Sequence, residues 1–374
     1  MKKIFLLLLC VVLCTTMLAS CDDGEIGDFE YPGYVPDVIP QITLDLYIIV
    51  GDGTGDLAID SVARMLSQYT EQKLNTKLKV HYIEESQYEA AVEAGVGMSG
   101  DDRADIVLLN SYDFAKKLID GGKLEDISSF YDPSNEFIEQ YKEIGKNYSI
   151  KTYGRLNTII TSSLIEASKI NGKLYSVPND HVIGEYTYLL IKEDVASYYN
   201  ISPAKLAGCT SLDDETLVAL KDAMVADGKV FEDAVFVTTG TYSDQAKYVA
   251  EGYVCNTVTP PSVDANEAFS SAFGIVKGTA YSHRAMEVLY LLNTDDYFRN
   301  LLQYGVAGVN YVKDDDGNII PHAEGDGVYN MNMLHTGSSF MLYYSSEWTK
   351  EMNNEGLAQN ADSVVSSAPV TPAQ

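Results

Sequence analysis

Residues 170–194, INGKLYSVPNDHVIGEYTYLLIKED, decide how the rest of the chain is read. Asn171-Gly172 is a two-residue hairpin signal, because both central positions of that turn take positive φ. Residues 173–177 read as a short strand. Pro178 ends it by removing a ladder donor and restricting the residue before it. A polar joint, Asn179-Asp180-His181, leads to a second strand at 186–191, where aromatic and β-branched side chains dominate. Lys192-Glu193-Asp194 then enters a helix. Strand, proline, polar joint, strand is the pattern of a chain leaving one domain and starting another.

Upstream of the joint the pattern is α/β. Residues 44–50 form an almost unbroken apolar run, as expected of a strand covered on both faces. A Gly/Asp loop at 51–55 precedes a helix capped near Asp56, whose Ile59, Val62, Leu66 and Tyr69 share one face. Strands are expected at 78–83 and 104–110, with helices at 87–94 and 135–148. This alternation predicts right-handed crossovers and a parallel sheet.

Downstream, a helix at 213–226 places Leu217, Leu220 and Met224 on one side, and a strand follows at 234–239. Together they suggest a smaller second lobe. Residues 273–276 read as the return crossing, and a helix at 284–292, continuing through Leu302, would rejoin the first lobe. Asp315-Asp316-Gly317-Asn318 makes the turn of a hairpin between 309–313 and 319–321. Residues 340–344 are expected to recross toward the second lobe. Residues 358–374 are small and polar without a period, and read as a disordered tail.

Residues 1–20 carry the marks of a secretory signal: Lys2 and Lys3, an apolar run at 4–13, then Ala19-Ser20. That run is too short to span a bilayer. Removing these residues takes away two lysines and no acid, so the mature chain is more negative still than the −28 of the whole. Such a charge argues against nucleic acid and against adsorption to anionic lipid, and weakens the case for a strongly anionic ligand. Residues 22–40, acidic and broken by Pro32, Pro36 and Pro40, read as a tether. Once Cys10 and Cys14 leave with the signal, Cys209 and Cys255 remain beside Cys21, as a disulfide or as two buried thiols. About 350 residues after processing are too many for one core, so two domains are expected.

The joint, standing here as Asn171-Gly172-Lys173-Leu174-Tyr175-Ser176-Val177-Pro178, resembles the hinge of extracellular solute-binding proteins of the sugar-binding class. Residues 291–312, LLNTDDYFRNLLQYGVAGVNYV, resemble the late helix and following turn of the lipoprotein-type members. Leu18-Ala19-Ser20-Cys21 is similar to a bacterial lipobox. Together these cover most of the chain. The resemblance implies an α/β, two-lobed, periplasmic-binding-protein-like (type II) fold with a hinge between lobes. Lobe 1 would hold 41–183 with 276–330, and lobe 2 would hold 184–275 with 331–357. It implies a monomeric lipoprotein of the family 1 sugar type, anchored through Cys21 and facing outside the cytoplasm. Such a protein captures a small solute, an oligosaccharide above all, for the permease subunits of an ABC importer. The region after Val312 is short for that family, which leaves ligand identity open.

In open α/β sheets ligands bind beyond the carboxyl ends of the strands, which singles out the loops at 51–56, 110–113 and 179–185. Candidate contacts are Asp52, Thr54, Asn110, Tyr112, Asp180, Glu185, Tyr186, Tyr242 and Trp348. A sugar offers an apolar face and a rim of hydroxyls, so its pocket needs aromatic planes beside polar groups. Trp348 is the sole tryptophan, and 27 tyrosines are available for stacking. Each candidate has a plain structural alternative: a glycine turn with Asp56 as cap, a solvated carboxylate at Glu185, a core tyrosine at Tyr186 or Tyr242. Residues 52–56 echo the start of a calcium loop but lack its later positions, so no metal is expected. No HExxH, GxSxG or Walker sequence is present. Gly95-Val96-Gly97-Met98-Ser99-Gly100 matches GxGxxG but follows a helix instead of a strand. His81, His181, His283, His322 and His335 have no ligand spacing. No cofactor or catalytic residue is expected. A surface enzyme acting on polysaccharide, or a solute sensor without a transporter, are the alternatives.

Overall fold

The computed structural model describes residues 41–100, 103–131 and 156–366. The signal at 1–20, the Cys21 anchor and its tether, the helix expected at 135–148 and residues 367–374 lie outside the described residues.

The first lobe opens with β1 (Ile42–Val50), α1 (Asp56–Leu74), β2 (Thr76–Glu84), α2 (Glu85–Gly95), β3 (Ile106–Leu109) and α3 (Tyr112–Asp120). All four residues of β3 are buried, as a strand covered on both faces requires. After α4 (Ser162–Ala167) the hairpin forms as its sequence demands. Asn171 and Gly172 sit at φ 52° and 77°, and Lys169–Ile170 pairs antiparallel with Lys173–Leu174. Then β4 (Ser176–Pro178) ends on its proline.

Beyond the polar joint, β5 (Tyr186–Lys192) is the centre of a second sheet. Its antiparallel neighbours are β6 (Val235–Gly240) and β7 (Tyr253–Thr259). Around them lie α5 (Glu193–Tyr198), α6 (Glu215–Ala226) and α7 (Asp244–Ala250). The chain returns through β8 (Ser262–Val263) and α8 (Ala265–Phe269) into β9 (Ala272–Ile275). The large sheet has the order β2-β1-β3-β9-β4. Strands β1 to β3 are parallel, and β9 runs antiparallel to both β3 and β4. Among the described residues the two sheets carry separate cores. One is built on the large sheet; the other joins Leu189 and Ile191 of β5 to Leu217, Leu220 and Met224 of α6.

Four expectations need correction. The helix through 284–302 is two: α9 (Ser282–Thr294) stops where the Asp295 carboxylate accepts Phe298 N–H at 2.9 Å and caps α10 (Asp296–Tyr304). The return crossing comes before Ala272, so 272–275 belongs to the large sheet. Past the hairpin of β10 (Tyr311–Lys313) and β11 (Ile319–Pro321), residues 331–343 pack on α10 and not on lobe 2. Arg299, fully buried, donates to the Ser338 and Met333 carbonyls at 3.0 and 2.8 Å, and Asn300 bonds Met341 O and Tyr343 N–H. Finally, the tail expected from Ala358 is ordered through Ser366. It completes α11 (Lys350–Ala361) and forms β12 (Val364–Val365), which pairs with β8.

Both cysteines among the described residues, Cys209 and Cys255, are free. Cys209 lies in the core below β5, while Cys255 packs with Tyr186, Tyr188 and Leu190 on the other face of the sheet, which closes the disulfide alternative.

Candidate functional site

Strand direction collects the candidate loops. Ala272 at the start of β9 faces both Leu109 and Pro178, so β3 and β4 end at one edge of the large sheet. The parallel strands β1 and β2 end there too. Both crossings to the small lobe leave from this edge, and β5 and β6 bring Tyr186 opposite Gly240 at the near end of the small sheet. Residues after the carboxyl ends of the large sheet therefore lie on the side from which both crossings leave.

At β3, the Ser111 hydroxyl accepts Phe114 N–H at 3.2 Å and starts α3, which sets Tyr112 on its first turn. Tyr112 is half-buried, with its ring 6.0 Å from that of Phe269 in the returning crossing. Asn110 lines a cavity of about 540 Å³ with Glu85, Ser86, Glu89, Ala90 and Glu93, and its Oδ1 is shielded from solvent without a protein partner. Asp52 is exposed on the loop after β1. That loop is fastened to 326–330: Gly51 N–H donates to Asn330 O at 2.9 Å and Gly55 N–H to Val328 O at 3.0 Å. A Cβ on Gly51 would stand 2.6 Å from Asn330 O, which requires glycine there. Thr54 is spent on the same clamp. Its Oγ1 accepts Asn330 N–H at 3.0 Å and lies 2.8 Å from Gly51 O.

The joint is a buried polar knot. Asp180 accepts Thr161 N–H at 3.2 Å on one carboxylate oxygen, while the other is buried without a partner. Burial pushes its carboxyl up to about 6, against the pull of Thr161 and His181. Asn360 of α11 accepts Ile183 N–H at 2.9 Å and donates to His181 O and Thr161 Oγ1. Gln359 donates to Ile183 O and Gly184 O and accepts Tyr242 N–H at 3.0 Å, so one side chain touches the crossing and lobe 2.

Besides Thr54, three expected contacts take other work. Tyr186 is buried, stacked on Tyr188, and donates to Asp362 at 2.9 Å. Asp180 belongs to the knot. Trp348 is 6% exposed against Phe340, which leaves no ring face for a sugar to stack on. Glu185 is exposed in the crossing, and Tyr242, 47% exposed, follows β6 at the same end. Sequence reading passed over Gln359, Asn360 and Glu267. The first two sit in a polar stretch with no apolar period to mark it.

Among the described residues no group of three or more His, Cys, Asp or Glu is placed to hold a metal ion, and no helix is long and apolar enough to cross a membrane.

No protein-family model matches the chain, and no curated protein matches it. Solved structures do. The N-glycan transport solute binding protein (NgtS) of Streptococcus pneumoniae matches with TM-score 0.54 at 16% identity, over 88% of this chain and 84% of that one. Its complex with Man5GlcNAc matches with TM-score 0.52 at 16% identity, over 87% of this chain and 83% of that one. Its complex with Man1GlcNAc gives 0.50 at 16% identity, over 87% and 84%. The chain thus has the two-lobed α/β fold of the extracellular solute-binding proteins.

Proposed function

We propose that the chain is the solute-capturing component of a bacterial sugar importer, a lipoprotein anchored through Cys21. It takes an oligosaccharide between its lobes and delivers it to the permease subunits of an ABC transporter. The observation that supports this reading is topological: both crossings leave from the edge at which the strands preceding Asp52, Asn110 and Tyr112 end, while Glu185 and Tyr242 stand at the near end of the small sheet. The likeness in fold to a protein solved with Man1GlcNAc and Man5GlcNAc supports the ligand class. A ligand that touches both lobes only when they close shifts the population toward the closed state by that difference in affinity. Glu85, Glu89 and Glu185 on this edge favour an uncharged sugar over an anionic one.

Titration calorimetry and thermal shift with Man1GlcNAc, Man5GlcNAc and a wider sugar panel test the reading. A bound sugar raises the melting temperature. Tyr242→Ala is expected to cost about 0.5–1.5 kcal/mol of binding, roughly a two- to tenfold weaker Kd, if its ring stacks on the ligand. Release of new reducing ends from a polysaccharide would favour an enzyme instead. Cys21→Ala is expected to move the protein from the membrane fraction to the soluble one.

A further inference from the structure

Both crossings meet at one pair of titratable side chains. His181, buried in the outgoing crossing, has Nδ1 at 2.8 Å from the Asn179 carbonyl oxygen, a contact that needs a proton on Nδ1. Nε2 is therefore the nitrogen that gains or loses a proton. It faces Glu267 Oε1 of α8, in the returning crossing, at 3.7 Å. The same carboxylate oxygen accepts Gly184 N–H at 3.2 Å. With Nε2 protonated, imidazolium and carboxylate attract across the two crossings. Without that proton, a nitrogen lone pair faces a carboxylate oxygen, and of the contacts that Glu267 makes across the two crossings only the Gly184 one remains.

The surroundings add no competing charge. From α11 comes the neutral Asn360, which donates to His181 O at 2.6 Å. From ahead of α4 comes Thr161, and from the 334–339 segment Ser339 N–H and the Leu334 carbonyl reach Asp180 and Asn179. The charged groups that act on His181 among the described residues are Glu267 and its own neighbour Asp180.

We propose that His181 and Glu267 form a proton-dependent latch between the two crossings. The latch holds the lobes in their present arrangement at mildly acidic pH and lets them swing more freely above neutrality. Burial by itself lowers the His181 imidazole, but Glu267, the Asn179 carbonyl and Asp180 outweigh it and raise the group above an ordinary histidine. A raised group contributes fully below its unfolded value, and that contribution is lost as pH rises through the folded value. The latch thus opens as pH rises above the range of an ordinary histidine.

The inference rests on the reading that the lobes move about these crossings, and the test separates the two. Histidine-labelled full-length protein is titrated by NMR, with His181 assigned by the resonance missing from His181→Gln. Glu267→Gln is expected to lower the His181 midpoint. Spin labels at Met98→Cys and Tyr198→Cys, in a Cys255→Ser background, report the distance between lobes. That distribution is expected to broaden from about pH 5.5 to about pH 8, and to be broad at both in Glu267→Gln. A His181 midpoint untouched by Glu267→Gln, or identical distributions at both pH values, overturns the latch. Narrowing of the same distribution by Man5GlcNAc reports the capture reading separately, whichever way the latch falls.

Discussion

The two lobes differ in how their cores are closed. The large lobe buries a five-stranded sheet on both faces, and Phe273, Leu44 and Leu108 are sealed from water. The small lobe buries Leu189 and Ile191 on one face of a three-stranded sheet against α6 and Tyr186, Tyr188 and Leu190 on the other, yet leaves Phe236 and Val237 of β6, with Val249 of α7, on the surface. Burial of apolar area is the main favourable contribution to folding. The difference predicts that the large lobe is the scaffold and that the small lobe opens first.

The comparison can be broken by experiment. Arg299→Ala removes the bonds that a fully buried guanidinium donates to Ser338 O, Gln303 Oε1 and Met333 O, leaves a cavity in the large lobe, and is expected to cost more than about 3 kcal/mol. In chemical denaturation its transition should shift while fluorescence from a probe in the small lobe stays put. Equal loss in both lobes would mean that they unfold as one unit. Asp180→Asn acts at the hinge. Because the Asp180 carboxyl is raised to about 6, its stabilising contribution is complete below an unfolded value near 3.8 and is lost as pH rises through about 6. The variant is expected to gain on wild type by up to about 3 kcal/mol from acid to neutral pH, read from melting curves across that range. A parallel pH dependence in both proteins would remove Asp180 as the cause.

Smaller effects sharpen the picture. Asn360→Ala removes the bonds to Ile183, His181 and Thr161 and is expected to cost about 1–3 kcal/mol. Amide exchange should rise in the crossing at 179–186 and little elsewhere; a uniform rise would deny α11 a specific role there. Smallest of all, reducing agent should leave the melting temperature unchanged, since Cys209 and Cys255 lie on opposite faces of the small sheet.

Much of this was legible residue by residue. The positive φ of Asn171 and Gly172, the stop at Pro178 and the strand from Tyr186 follow from local sterics that each residue carries with it. The loops at 51–56, 110–113 and 179–185 were legible as a set, because parallel strands end on one side. The burial of Trp348 beside Phe340 was not legible, since a lone tryptophan carries no mark in the sequence of what packs on it. The strand Tyr253–Thr259 and the helix through Ala361 went unseen. One is half-buried along most of its length and the other polar, and neither carries a strong period.

The amino-acid sequence alone determined the hinge turn, the alternation of strands and helices in the first lobe, and the presence of two domains. These rest on backbone geometry and on periodic burial within short windows. Only the tertiary structure decided that 331–343 belongs to α10, that α11 stitches the crossing, and that His181 meets Glu267. Each of those contacts joins residues far apart in the chain, and which distant polar group a side chain finds is settled by packing, not by its neighbours in sequence.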